Sequence, residues 1–347
     1  MQNFELIIVG GGLTAARAIR EYRAAGGDGR IALLARETRL PYHRPPLSKR
    51  YLRSETEAEA TRVEPEEFYE QNGVELLLGT EVTAVDPREQ IVCGYRYGKL
   101  LIATGSLPRA LDVPGAQLPG VFSLRTLDDS TAIREAARET RDAVVVGNGF
   151  IGMEVAASLT ELGLDVSLLS RDADLFAQLR SPEISEHLVK LYRDRGVDII
   201  RGDEVREFRG RSRLDTVELH TGRELGAGLA VVGVGVQPAV SFLEGSGIAI
   251  DDGILVDERF RTNVPNVYAA GDVARFYDPL FGRRRRIEHW SNANYQGAAV
   301  GKGARRRGQR LRHRLHVLHR VVRTDTQGLR RRLATRRPRR AGVVRGR

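Results

Sequence analysis

The sequence predicts an α/β protein with two parallel-sheet units of one design, the second inserted into the first, followed by a disordered basic tail. Two observations carry this. A short apolar run, a glycine turn, a helical stretch of small and aliphatic residues and a second apolar run occur in that order twice, in residues 4–34 and 143–169. The turns Gly10-Gly11-Gly12 and Gly147-Asn148-Gly149 stand 137 positions apart, too far to serve one site.

The elements follow in order. Residues 4–9 have strand composition, 13–22 carry small and aliphatic residues at helical spacing, and 31–34 form the next apolar run. Strand, turn, helix and strand make a βαβ unit, whose two strands lie parallel. Residues 143–146, a helix through Leu162 and residues 166–169 repeat the pattern. Asp128 and Asp129, with the helix after them, lead into the second unit.

Each turn has a physical purpose. Gly10 permits the tight turn, Gly12 lets the backbone approach a pyrophosphate, and Ala15 allows close helix–strand packing. Free N–H groups and the helix dipole then favour the phosphates. Gly147, Gly149 and Gly152 repeat the set, with Phe150 and Ile151 opening the helix. One glycine pattern is common punctuation, but two in strand–turn–helix context point to two Rossmann-like dinucleotide sites.

An acid at the end of the second strand would hold a ribose. Glu37 is the candidate in the first unit, with a solvated surface charge as the alternative. The second unit ends in Ser170-Arg171, with Asp172 past the strand. That pair predicts a site accepting NADPH at least as well as NADH, because Arg171 can offer a planar fork to a phosphate.

Charge and cysteine content narrow the rest. The net charge is +10, yet residues 302–347 hold 17 Arg and one Lys against Asp325 alone, leaving residues 1–301 net acidic. A nucleic-acid partner is therefore not expected of the body. The single cysteine, Cys93, excludes an intrachain disulfide or a multi-thiolate zinc site and reads as a small buried hydrophobe. No apolar run is long enough for a membrane span, no secretory signal opens the chain, and a cytoplasmic location is expected. His313, His316 and His319 have no carboxylate or thiol cluster with them, so no metal site is expected.

Four motifs make a more specific likeness: the run Leu40-Pro41-Tyr42-His43-Arg44-Pro45-Pro46-Leu47-Ser48-Lys49, the Leu101-Ile102-Ala103-Thr104-Gly105 strand end, the Gly147–Glu154 turn, and Ala270-Gly271-Asp272. Together they resemble the FAD-dependent ferredoxin reductases, including the rubredoxin, putidaredoxin and aromatic-dioxygenase ferredoxin reductases of the pyridine nucleotide-disulfide oxidoreductase superfamily. The resemblance covers residues 4 to about 301.

It implies FAD and NAD(P)H as cofactors, and hydride passing from nicotinamide to flavin, then single electrons to a ferredoxin or rubredoxin that feeds an oxygenase. Residues 1–112 and 242–301 would form the FAD domain, 113–241 the NAD(P) domain, and 302–347 the tail. Arg44, Pro45 and Lys49 would line the flavin, Val82 would contact the adenine by its backbone, and Asp272 would bind the ribityl chain. Gly271, Ala103, Thr104 and Gly105 would complete that site, with Gly235 at the return crossing. Arg125 would lie at the cleft or pair with an acid there. Trp290 would pack near the isoalloxazine ring or serve as a core aromatic. Lys49 and Glu154 would meet beside the reactive edge, within about 4 Å.

Thiol-dependent relatives place a cysteine in the early segment, where this chain has Ser48-Lys49, so disulfide chemistry is not expected. The stretch 91–100 is shorter than the family's hairpin. The family's C-terminal interface domain has no counterpart after Gly301; in its place is an arginine-rich segment, read as a shifted reading frame or an anion-binding tail. The alternative to an active reductase is an impaired flavin-binding remnant or a basic-tailed binding protein. The oligomeric state is not legible.

Overall fold

The computed structural model describes residues 1–305. Expectations for the later residues, including the tail's lack of order and its three histidines, lie outside the described residues.

The first unit is built on five parallel strands in the order Val74–Leu78, Ile31–Ala35, Asn3–Val9, Tyr95–Ile102, Val267–Ala269, and Ile91–Val92 and Val85–Asp86 join the same sheet antiparallel. Its strands are continuous apolar runs because helices cover the sheet: Ile7, Ile8, Leu33 and Leu100 have no exposed surface. Helix Leu13–Ala24 follows the first strand and packs along helix Trp290–Arg305. A Cβ at Gly297 or Gly301 would strike the carbonyls of Thr14 and Ala18, so glycine lets the two backbones touch.

The expected tail boundary at 302 is too early. The last helix runs through Arg305, Lys302 Nζ lies 3.2 Å from Glu21 Oε2, and Ala304 is buried. Arginine content hid the end of an amphipathic face that docks on the first helix.

The second unit repeats the topology in the order Asp198–Arg201, Asp165–Ser170, Asp142–Val146, Leu229–Val232, Val121–Ser123, all parallel. A three-stranded antiparallel sheet, Val205–Arg209, Thr216–Leu219 and Glu224–Gly226, stands beside it. Helix Leu127–Ala136 contains Asp128 and Asp129 rather than following them. Asp129 accepts from the Thr126 N–H and Thr126 from the Asp129 N–H, closing a capping box at the positive end of the helix.

The chain passes between the units on two antiparallel strands, Ser106–Pro108 and Val236–Pro238, with Gln237 opposite Leu107. Leu111 packs on the second unit's core and Val240 on the first. The return strand directly follows Gly235, the residue expected at that crossing.

Cys93 is not a buried hydrophobe. It is exposed, at φ +48 in the two-residue turn joining Ile91–Val92 to Tyr95–Ile102. The short hairpin forces Cys93 and Gly94 into left-handed backbone, and a turn tip faces solvent.

Candidate functional site

Both glycine turns have the same construction. Gly10 at φ +115 and Gly147 at φ +119 lie against the carbonyls of Ala103 and Gly233, and a Cβ at either would overlap that oxygen. Each turn is thereby held against the end of the neighbouring strand. Gly12 and Gly149 are the N-caps of helices Leu13–Ala24 and Phe150–Glu161, and neither helix has a side-chain cap. A Cβ built at Gly12 or Gly149 meets nothing within 4 Å, so open space lies beside the free N–H groups. An uncapped helix N-terminus beside open space fits a pyrophosphate. Ala15 is fully buried, and a Cβ at Gly152 would overlap the Gly147 carbonyl, so both residues set close helix–strand packing.

A charged cluster lies beside the first turn. Arg44 Nη2 donates to Glu37 Oε1 at 2.8 Å, Tyr42 donates its hydroxyl to Glu37 Oε2, and Arg44 Nη1 donates to the Arg125 carbonyl. Glu37 is thus a paired, half-buried group, not a solvated surface charge. Tyr42 also accepts from the Leu127 N–H at 3.1 Å, and burial pushes its phenol well above the ordinary range. Arg125 Nη2 stands 3.4 Å from Asp272 Oδ2, which Ser106 Oγ approaches at 3.3 Å. Burial and the neighbouring Arg44 push the Arg125 guanidinium down, against the attraction of Asp272. Of the two places open to Arg125, cleft or acid pair, the geometry shows the acid pair, with Asp272.

Asp272 is held from behind. Gly271, at φ +84, donates its N–H to the buried Gln296 Oε1 at 2.8 Å. The reading of the sequence missed Tyr42's role, Ser106 and Gln296. Only Tyr42 had a signal, standing in the proline-rich run; Gln296 is 25 residues beyond its partner and follows no motif.

The two units meet at Lys49 and Glu154. Lys49 Nζ lies 2.5 Å from Glu154 Oε2, and Ser48 Oγ donates to the same oxygen at 2.5 Å. The short helix Pro45–Ser48 presents both residues, and its Ser48 carbonyl accepts from Ser158 Oγ at 2.7 Å. Pro45 is exposed beside them, as are Phe150 and Ile151 at the start of the second helix. Trp290 is 45% exposed, which removes the core-aromatic alternative. Its Nε1 donates to His43 Nδ1 at 3.0 Å. Burial pushes the His43 imidazole down, keeping that nitrogen an acceptor.

The remaining expected residues frame these groups. Ala103 donates its N–H to the Val9 carbonyl, Thr104 Oγ1 donates to the Ala239 carbonyl at 2.8 Å, and Gly105 takes φ +70 beside Arg125. Gly235, at φ +103, accepts from the Arg109 N–H. Val82 is half-buried against the first core. Ser170 is fully buried beneath the second turn, whereas Arg171 is 76% exposed.

Two uncapped glycine cradles, joined by a lysine–glutamate bridge between their sheets, define a two-dinucleotide oxidoreductase. Residues 4–297 match the pyridine nucleotide-disulphide oxidoreductase family, and the chain belongs to it. It is an FAD-containing enzyme that uses NAD(P)H. The seedling monodehydroascorbate reductase of Cucumis sativus is 36% identical over 83% of this chain and 72% of its own length. Putidaredoxin reductase of Pseudomonas putida is 34% identical over 86% of this chain and 73% of its own. A crystal structure of the covalent putidaredoxin reductase–putidaredoxin complex superimposes with a TM-score of 0.83 at 34% identity, covering 86% of this chain and 74% of that chain. Among the described residues no helix is long and apolar enough to cross a membrane.

Proposed function

We propose that this enzyme passes electrons from NAD(P)H through FAD to a ferredoxin or rubredoxin that feeds an oxygenase, and that it works in the cytoplasm. The observation carrying this reading is the Ser48–Lys49–Glu154 bridge, which ties the FAD-side unit to the nucleotide-side unit without any thiol in the early segment. The chemistry FAD supplies when bound is conversion of a two-electron hydride donor into single-electron output.

The chain's own residues bind, orient and shield. Gly10, Gly12 and Ala15 receive the FAD pyrophosphate at the first helix, with Arg44 and Arg125 supplying positive charge and Asp272 accepting a hydroxyl. Glu37 positions Arg44, to which it is already bound. Val82, Ala103, Thr104 and Gly105 complete the wall, and Pro45 and Trp290 exclude water at the ring. Gly147, Gly149, Phe150, Ile151 and Gly152 receive the nicotinamide nucleotide, with Ser170, Arg171 and Gly235 at its margins. Lys49 places a cation at the reactive edge, and Glu154 holds it there.

Stopped-flow mixing of the NADH-reduced enzyme with oxidised ferredoxin, rubredoxin or the monodehydroascorbate radical tests the acceptor. Faster reoxidation by an iron–sulfur protein supports the reading. Turnover with the ascorbate radical alone refutes it, and a purified chain with no flavin colour refutes it earlier.

A further inference from the structure

We propose that His43 is a positioning residue whose neutral imidazole holds the Trp290 indole at the flavin ring, and that its protonation releases the indole and opens the ring to water and dioxygen. The inference rests on the proposed place of Trp290 beside the flavin and adds to it a proton-sensitive support.

The pair joins residues 247 positions apart in the chain. An indole Nε1 can only donate, so the His43 Nδ1 facing it at 3.0 Å is the unprotonated nitrogen, with the ring's proton on Nε2. The two rings lie 5.8 Å apart, tilted by 45°. Protonation adds an N–H at Nδ1. Two donors then face each other with no acceptor between them, and the bond is lost.

The partners are held unequally. His43 is a fixed post: its N–H donates to the Thr61 carbonyl at 2.7 Å, the Pro41 carbonyl two residues earlier accepts from Val63 at 2.9 Å, and the adjacent Arg44 is bound to Glu37. Trp290 is the first residue of the last helix and is half-exposed. The side chains on either side of it are turned to each other, His289 Nδ1 lying 2.7 Å from Ser291 Oγ. Loss of the His43 bond therefore frees the indole and leaves the post in place.

The charges around His43 set where the change occurs. Burial lowers its proton affinity and the Glu64 carboxylate raises it, burial being the larger influence. Glu64 is itself buried and accepts from Arg20 Nε at 2.5 Å and from Arg20 Nη2, so its field is largely compensated. Other charged groups on the surrounding segments face elsewhere: Arg44 toward Glu37, Lys49 toward Glu154, Arg62 toward Glu59 and Glu288 toward Arg286. The midpoint of release therefore lies below the ordinary histidine value of about 6.5.

Trp290 is the single tryptophan of the chain, so its fluorescence reports this site alone. The test is acrylamide quenching of that fluorescence in the flavin-loaded full chain, from about pH 8 to about pH 5, across the histidine range. Losing one hydrogen bond shifts the held-to-released ratio by about fivefold, so wild-type quenching should rise as pH falls through the midpoint. His43→Asn, which offers an amide oxygen near the place of Nδ1 and does not titrate, should stay at the low level. His43→Leu, with no acceptor, should stay at the high level throughout. In parallel, the photoreduced chain is mixed with dioxygen, which takes two electrons and two protons from reduced flavin to give oxidised flavin and hydrogen peroxide. The wild-type rate, taken relative to His43→Asn at each pH, should rise through the same midpoint. Flat wild-type quenching, or an equal rise in His43→Asn, overturns the inference. Quenching that titrates through His43 while peroxide formation does not follow it shows that Trp290 stands away from the flavin, and overturns the placement on which the inference rests.

Discussion

Replacing Lys49 by Met should slow flavin reduction by NAD(P)H while leaving the fold intact. The side chain contributes one positive charge beside the proposed reactive edge, held 2.5 Å from Glu154 Oε2. A unit charge about 4 Å from charge developing on the flavin is worth about 4 kcal/mol at an effective dielectric constant of about 20. Lys49 is 42% exposed, however, so water screens most of that. The surviving share is about 1 kcal/mol, a five- to tenfold change in rate. Stability should move by less than about 1 kcal/mol, since a half-exposed ion pair is worth little and Ser48 still donates to Glu154. The assay is stopped-flow bleaching of the flavin by saturating NAD(P)H, with thermal melting as the control. An unchanged bleaching rate would falsify the assigned role, and a large fall in melting temperature would show that Lys49 acts through the fold.

Four further substitutions probe the remaining framework. Gly10→Ala should prevent folding or cost more than about 3 kcal/mol, because its Cβ overlaps the Ala103 carbonyl, whereas a Cβ at Gly12 meets no protein atom within 4 Å, so Gly12→Asp should fold without retaining FAD; flavin absorbance and circular dichroism separate the two outcomes. Gln296→Leu should destabilise by about 1–3 kcal/mol, since the Gly271 N–H loses its buried partner, and a melting temperature equal to wild type would contradict this. His43 has a folded-state pKa below its unfolded value, so the neutral ring's contribution is fully present above the ordinary histidine pKa of about 6.5 and is lost as pH falls through the lower folded value. Acidification from neutral pH should therefore lower the melting temperature less in His43→Phe than in wild type, and parallel profiles would remove His43 from the linkage.

Local pattern and tertiary contact divide this protein between them. The two βαβ units were legible because their determinants are near neighbours: an apolar run buried on both faces, a glycine where the backbone must take positive φ, and small residues on the helix that follows. The strand at 3–9, the helix from Leu13, and their counterparts at 142 and 150 lie within one or two residues of where the pattern placed them. Gly10 and Gly147 were legible for the same reason, since no side chain fits against the carbonyls beside them.

What the sequence alone left open depends on groups far apart in the chain. Ser48 joins the expected Lys49–Glu154 pair on one carboxylate oxygen across more than a hundred residues, and Gln296 reaches back to Gly271. Cys93 looked like an apolar filler until the hairpin register put it at a turn tip. Ser170 and Arg171 stand side by side at a strand end in the sequence, and only the structure shows that Ser170 is buried against Asn148 while Arg171 lies largely in solvent. Periodicity records which face of an element is buried, but it does not record which distant polar atom a side chain will meet. That pairing is set by the docking of the two sheets and of the last helix, and only the tertiary structure decides it.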